Sequence, residues 1–358
     1  MKASATARLA TIDALRGIAA FLVVLFHIRG ALGDNLKSWM PDWIYSFLSY
    51  GFVGVAVFFV ISGFVIALSL SHKRATLGLT GRFAIRRSLR LDPPYWVAIA
   101  LEIGLIYLAL QLFPETVKSV PPTWDKVVAH IFYMQDILEY GNIAAVFWTL
   151  CIELQFYLFY ALMLTLVQWR SAEFIDENGN FSKTASVWFG LSALLGIACM
   201  NKLITPPFPG LFIAYWPYFL SGALIALSYA SRLSPKYFIG HTILLVISAV
   251  FKPTPYLVAA LITIIFLFYV ASRNLFSSML SFRPLIYLGT ISYSLYLFHS
   301  IVGWRFVILV QTLHKGPLSP TMSITVFFCA VIVSLISADI AFRIIETPSI
   351  NLAKKIRY

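Results

Sequence analysis

Apolar residues run along this chain in long blocks, separated by short polar connections. Ten such blocks lie at roughly 10–30, 50–71, 93–113, 146–168, 186–203, 211–230, 239–251, 256–272, 285–310 and 322–342. Most approach the ~20 residues an α-helix needs to cross ~30 Å of hydrocarbon. Within lipid every backbone donor and acceptor must be satisfied inside its own segment, so continuous apolar runs of this length predict helices and not sheet. The polar connections carry a second pattern. The N-terminus, the even-numbered connections and the C-terminus hold 19 Lys and Arg residues, among them Lys2, Arg8 and Arg232. The opposite set, which includes Lys118, holds 7, and Arg305 lies inside a span. Positive charge gathers on the cytoplasmic side, so both termini are expected in the cytoplasm. The pattern predicts an all-α polytopic membrane protein of about ten helices, in one domain over residues 1–358, with no internal repeat.

Composition agrees. Hydrophobic residues make up 60% of the chain, charged residues 12%, and the mean hydropathy is +0.83, which excludes a water-soluble domain of this length. The net charge of +12 is distributed by connection and forms no single soluble patch, so nucleic acid is not an expected partner. Cys151, Cys199 and Cys329 fall within apolar blocks without metal-type spacing, so they are read as packing residues and no metal is expected. The first block keeps Asp13, Arg16 and His27 and lacks a small-residue cleavage site, which marks it as a span and not a signal peptide.

Ionisable residues inside such spans are costly and point to function. In the first span the 11-residue step from Arg16 to His27 returns to within about 20° of one helix face and climbs roughly 16 Å. Asp13, three residues before Arg16, falls near the same stripe and is placed to neutralise it. The second span carries small residues at Gly51, Gly54, Ser62 and Gly63, which suits close helix packing. After it come Lys73, Arg74, Arg82, Arg86, Arg87 and Arg90 in under 20 residues, a cluster fit either for anionic headgroups or for a phosphorylated ligand. Pro93-Pro94 is expected to stop that helix before the third span. Glu153 lies in the first turns of the fourth span, at the depth expected for His27, and two titratable groups at matched depth suit acid–base chemistry. Trp148 belongs to an aromatic extracytoplasmic stretch that would suit a sugar, or an ordinary interfacial belt. Ser292, Tyr293, Tyr296 and His299 place hydroxyls and an imidazole inside the ninth span, either lining a channel or bonding between helices.

Five segments in order, LATIDALRGIAAFLVVLFHI, FFVISGFVI, RRSLRLDPPYW, FWTLCIELQFYL and LGTISYSLYLFH, resemble acyltransferase family 3, integral-membrane O-acyltransferases of surface polysaccharides. The resemblance covers nearly the whole chain. It implies a ten-helix core in a bacterial inner membrane that passes an acyl group, most often acetyl, from cytoplasmic acyl-CoA to a hydroxyl across the membrane. It assigns the family's Arg and His to Arg16 and His27, its RxxR pair to Arg87 and Arg90, its carboxylate to Glu153, and its serine and tyrosine to Ser292 and Tyr293. One departure stands out: Ala56-Val57 precedes Phe58-Phe59, where many relatives carry an acid. Relatives with a fused esterase-like domain exist, and the lack of one here implies a protein that acts alone or hands on its product. On this reading Arg86, Arg87 and Arg90 hold the CoA phosphates, Arg16 lines the entrance, and His27 is the general base oriented by Glu153, with Asp13, His299 and Trp148 in support. No cofactor is permanently bound; acetyl-CoA is the donor, a polysaccharide or oligosaccharide the acceptor, membrane lipids surround the protein, and a homo-oligomer is compatible. The competing readings are a lipid-linked or secondary-metabolite acceptor, and a proton-coupled transporter or flippase using the same intramembrane Arg, His and Glu.

Overall fold

A computed structural model describes residues 9–71, 73–115, 120–171, 173–230 and 233–357. Lys2, Arg8, Lys118 and Arg232, which enter the charge asymmetry, lie outside the described residues. Among those described the architecture is helical, and the one β pairing is an isolated bridge between Ile175 and Phe181. In chain order the principal helices are α1 (Ala10–Leu32), α2 (Gly54–Leu70), α3 (Leu77–Leu112), α4 (Trp124–Ile131), α5 (Trp148–Arg170), α6 (Lys183–Met200) and α7 (Trp216–Tyr229). They continue with α8 (Pro235–Phe251), α9 (Pro255–Ser272), α10 (Arg283–Thr290), α11 (Ser292–Phe298), α12 (Trp304–His314), α13 (Pro320–Ala341) and α14 (Thr347–Lys354). A π-helical turn at His299–Gly303 joins α11 to α12, and another at Phe342–Glu346 joins α13 to α14. Eight segments of the described chain are long and apolar enough to cross a membrane, and they coincide with eight of the expected spans. The sixth and seventh are occupied by α7 and α8, which have only 14 and 17 residues.

Lipid tails are as apolar as Leu, so helices associate in a membrane through close packing. The expected role of small residues is met here. A Cβ on Gly63 of α2 would stand 1.9 Å from the Phe219 carbonyl oxygen, and one on Gly222 of α7 would stand 1.9 Å from that of Val60, so these backbones touch. Helix α1 makes a similar contact with α10, where a Cβ on Gly289 would lie 1.8 Å from the Asp13 carbonyl oxygen. With α2 against another side and α11 and α13 behind, α1 runs through the middle of the bundle. Its Ala14, Ala19, Ala20, Val24 and Ile28 are wholly buried.

Two expectations are corrected. Pro93-Pro94 does not stop a helix: α3 runs unbroken for 36 residues with both prolines inside it. Each proline removes a helical donor, so the carbonyls of Leu89 and Arg90 lose their usual partners. Tertiary bonds brace the same turn, because the Tyr293 hydroxyl donates to the Leu91 carbonyl (2.7 Å) and the Tyr133 hydroxyl to Asp92 (3.0 Å). The second correction concerns the connection between α3 and α5, expected as an exposed aromatic stretch. Trp124 and Phe132 are exposed, but His130, Tyr133, Gln135 and Phe147 are buried and Tyr133 stacks on Tyr95. This connection folds back into the bundle and starts α5 deep inside it. Elsewhere the expected turn at Glu177-Asn178-Gly179 is present, with Gly179 at φ 74° and its amide donating to the Asp176 carbonyl (3.0 Å).

Candidate active site

Two cavities lie along α1, one around Arg16 and one around His27. The Arg16 cavity is narrow, about 80 Å³. Helix α3 brings Arg87 and Arg90 to it, α5 brings Glu153 and Tyr157, α2 brings Ser62, and α11 brings Ser292 and Tyr293. Glu153 accepts from the Ser62 hydroxyl (2.8 Å) and from Tyr157, whose ring in turn carries the Arg87 guanidinium on its face at 5.1 Å. Glu346, in the π-turn after α13, accepts from the Ser294 hydroxyl (2.6 Å) and sits within electrostatic reach of Arg16 and Arg90. Three guanidinium groups thus face two carboxylates, which leaves one formal positive charge. The Nε of Arg90 and the hydroxyl of Ser292 are buried there without a partner among the described residues. Buried polar atoms are normally bonded, so the cavity is equipped for an anionic or carbonyl-bearing guest.

The His27 cavity is larger, about 560 Å³, and lies chiefly between α3 and α12. His27 Nδ1 stands 3.0 Å from the Val23 carbonyl and 3.0 Å from His299 Nε2, while His299 Nδ1 stands 2.9 Å from the Leu295 carbonyl. Carbonyl oxygens only accept, so the tautomer these contacts favour has a proton on each Nδ1, with His27 sharing its single Nδ1 hydrogen between the Val23 carbonyl and His299 Nε2. That arrangement leaves His27 Nε2 as the unprotonated atom, and the Trp304 and Phe26 rings against His27 fix its plane. Glu102 of α3 and Arg305 of α12 form a bidentate ion pair in the same cavity, with Arg305 Nε 3.1 Å from a carboxylate oxygen.

Tyr296 stands between the two cavities. It lines the first, exchanges a hydrogen bond with Thr149 (2.8 Å), and sets its ring edge-to-face against both Phe58 and His299, with centroids 5.7 and 6.0 Å apart. The structure therefore gathers Arg16, Arg87, Arg90, Glu153, Ser292 and Tyr293 into one site and pairs His27 with His299 in the other. It does not bring Glu153 to His27. The matched depth expected for these two is corrected: because the folded-back connection starts α5 inside the bundle, Glu153 sits at the level of Arg16. Ser292 lines the Arg16 cavity, whereas His299 is wholly buried and meets the second cavity through His27.

Arg86 does not line either cavity and has Lys73 as a neighbouring charge. Trp148 packs at a tilt against Tyr215 in a separate surface depression that also contains Asp136. Asp13 occupies the first turn of α1, where its backbone meets Gly289. Sequence reasoning missed Glu346 and Glu102, although a carboxylate inside or at the end of an apolar run was the available signal. It read Ser62 as a packing residue only. Among the described residues no group of His, Cys, Asp and Glu is placed to hold a metal.

Residues 9–343 match the family model described as an acyltransferase domain. The chain is 26% identical over 375 residues to the O-acetyltransferase OatA of Staphylococcus aureus (strain NCTC 8325 / PS 47), covering 94% of this chain and 56% of that protein. It is 24% identical over 379 residues to a putative O-acetyltransferase of Staphylococcus aureus (strain COL), with the same coverage. The chain thus spans about half the length of the curated relatives it matches. No solved structure matches it. With the family's domain matched across nearly all of its spans, the chain belongs to acyltransferase family 3, the integral-membrane acyltransferases it resembles in sequence.

Proposed function

We propose that the protein is a membrane O-acetyltransferase that passes an acetyl group from acetyl-CoA, bound at the Arg16 cavity from the cytoplasm, to a hydroxyl of a surface or exported polysaccharide or oligosaccharide at the His27 cavity. The setting is a bacterial inner membrane. One observation carries the reading: a single buried helix delivers the Arg16 guanidinium to an anion-seeking cavity and the His27 imidazole to a second cavity about 16 Å along.

Acetyl-CoA combines a phosphorylated nucleotide, which cannot enter lipid, with a thin pantetheine arm. Arg87 and Arg90 meet the phosphates at the mouth through charge-assisted bonds, with Arg86 outside them adding attraction. The arm is slim enough to follow the narrow Arg16 cavity, where Arg90 Nε and the Ser292 hydroxyl can bond its amides. The thioester passes Tyr296 and Phe58 to reach His27. There the acceptor oxygen bonds to the thioester carbon as its proton moves to His27 Nε2. The C–S bond breaks and the CoA thiolate takes up that proton, so the imidazole returns to its starting form. His299 Nε2 accepts from His27 Nδ1 throughout and favours the imidazolium, the part first assigned to Glu153. Glu153 and Glu346 hold the arginines apart and in place.

The test is transfer of labelled acetyl from acetyl-CoA to saccharide in membranes with and without the protein, with mass spectrometry of surface glycans to locate the ester. Labelled ester that depends on His27 supports the reading. Absence of label from every saccharide fraction, with the protein folded and CoA bound, overturns it.

A further inference from the structure

The His27 cavity has a second property that general-base chemistry does not require. Its walls are the last turns of α3 and helix α12; α3 packs directly against α11, and the Glu102–Arg305 pair spans from α3 to α12. Along those walls Leu105, Leu108, Ala109, Ile308 and Leu309 make an apolar trough, and Leu108, Ile308 and Leu309 are more than 40% exposed to the surroundings of the bundle. Such exposure on two apolar membrane helices opens the trough sideways, toward lipid. Its inner end is polar: His27, the Glu102–Arg305 pair, and the Ser300 hydroxyl, which is buried without a partner among the described residues. Glu102 and Arg305 cancel each other's charge, so this end suits a neutral, hydroxyl-bearing group and not an anion.

We infer that the α3–α12 cleft is the acceptor's port, and that the acceptor is a saccharide anchored to a hydrocarbon chain, which slides in laterally from the membrane. The chain lies along the leucines while a sugar hydroxyl bonds Ser300 and presents its proton to His27 Nε2. This rests on the acetyltransferase reading above and narrows its acceptor to a lipid-linked one. A water-soluble polymer entering from the aqueous face would leave the apolar side wall unused, whereas a chain already in lipid passes into an equally apolar trough without leaving a hydrocarbon environment, and carries its sugar to the polar inner end. The chemistry is the same ester-forming step, with CoA leaving as the thiol.

The experiment uses the full chain in liposomes, labelled acetyl-CoA, and two acceptor pools from the same cells. One is the organic-extractable glycolipid fraction. The other is the saccharide released from that fraction by mild acid, which offers the same heads without the chain. The wild-type protein should label the intact glycolipids at least tenfold faster than the released saccharides at equal sugar concentration. Ala109→Trp and Leu309→Trp, which fill the trough from opposite walls, should each reduce that ratio at least fivefold. Leu191→Trp, on a lipid-facing position of α6 away from the cleft, should leave it unchanged. A ratio within one preparation cancels differences in the amount of folded protein. Label confined to released saccharide, or a ratio indifferent to both trough substitutions, overturns the lateral port and leaves acetyl transfer standing. Label in no saccharide fraction overturns both.

Discussion

The two cavities along α1 hold the same kinds of residue and use them in opposite ways. Around Arg16 the charges are in excess, three guanidinium groups against two carboxylates, and polar atoms are left unbonded in a space of about 80 Å³. Around His27 the one full charge pair is internally cancelled, the imidazoles satisfy each other and the backbone, and the space of about 560 Å³ is mainly apolar. The difference teaches that the two cavities select by charge: an anion gains at the first, and a neutral hydroxyl beside an apolar surface gains at the second. Tyr296 lies between them, and on the proposed reading only the acetyl end of the donor passes it into the second cavity.

The sharpest way to break this comparison is His27→Gln, which keeps a hydrogen-bonding side chain of similar reach but removes the basic nitrogen. Transfer should fall by about 10²–10⁴-fold while CoA affinity is retained, since general-base help is worth that much. Near wild-type transfer by a folded His27→Gln protein would end the role of the second cavity as the reacting one. Removing both cavity-facing arginines of α3, Arg87→Ala with Arg90→Ala, should act on the other side of the comparison. Each charge-assisted bond contributes about 1.5–3 kcal/mol, so the loss of two should weaken CoA binding measured by calorimetry by roughly 10²-fold or more, appearing as a raised KM. Unchanged CoA affinity would make the cluster a lipid anchor.

His299→Leu asks whether the imidazole pair works as a unit. The base remains but loses the acceptor that orients it, so kcat should drop by up to about 10²-fold with the KM for acetyl-CoA little changed. A parallel rise in KM would assign His299 to packing. The smallest effect concerns the folded-back connection that sets the depth of Glu153. His130 donates from Nδ1 to the Lys126 carbonyl (2.7 Å) and accepts the Ile143 amide at Nε2 (2.9 Å), so it works as the neutral form, and burial lowers its pKa to about 4. An unfolded His titrates near 6.5, so above that pH the connection keeps its full stability. Between 6.5 and about 4 the open form binds the extra proton, and stability falls as the pH falls. Hydrogen exchange at Ile143, corrected for its intrinsic pH dependence, should accelerate across that window and stay flat in His130→Asn.

Much of this molecule was legible before any tertiary contact was known. The apolar blocks located eight crossing segments, because a helix in lipid must satisfy its backbone alone and its length is set by the bilayer. The Arg16 and His27 spacing survived for the same reason: both sit on one straight helix, whose geometry is local. What failed was non-local. Pro93-Pro94 reads as a stop, and only the bonds from Tyr293 and Tyr133 show why α3 continues. Glu153 reads as a partner of His27, since counting residues from an apolar boundary assumes that each span starts at the membrane surface. Here the span starts inside the bundle.

What the sequence by itself determined is the helical membrane class, the placement of most spans and the identity of the ionisable residues within them, because hydropathy and helical repeat act on neighbours along the chain. What only the tertiary structure decided is which of those residues meet. Glu153 went to Arg87 and Tyr157, Glu346 to Ser294, Glu102 to Arg305, and His27 to His299, 272 positions away. A buried ionisable or polar group must find a partner somewhere in the bundle, and the cost of leaving it bare is the same whichever helix supplies the partner. The choice therefore depends on how the helices pack, through contacts such as Gly63 on Phe219 and Gly289 on Asp13, and those are distances that no count along the chain contains.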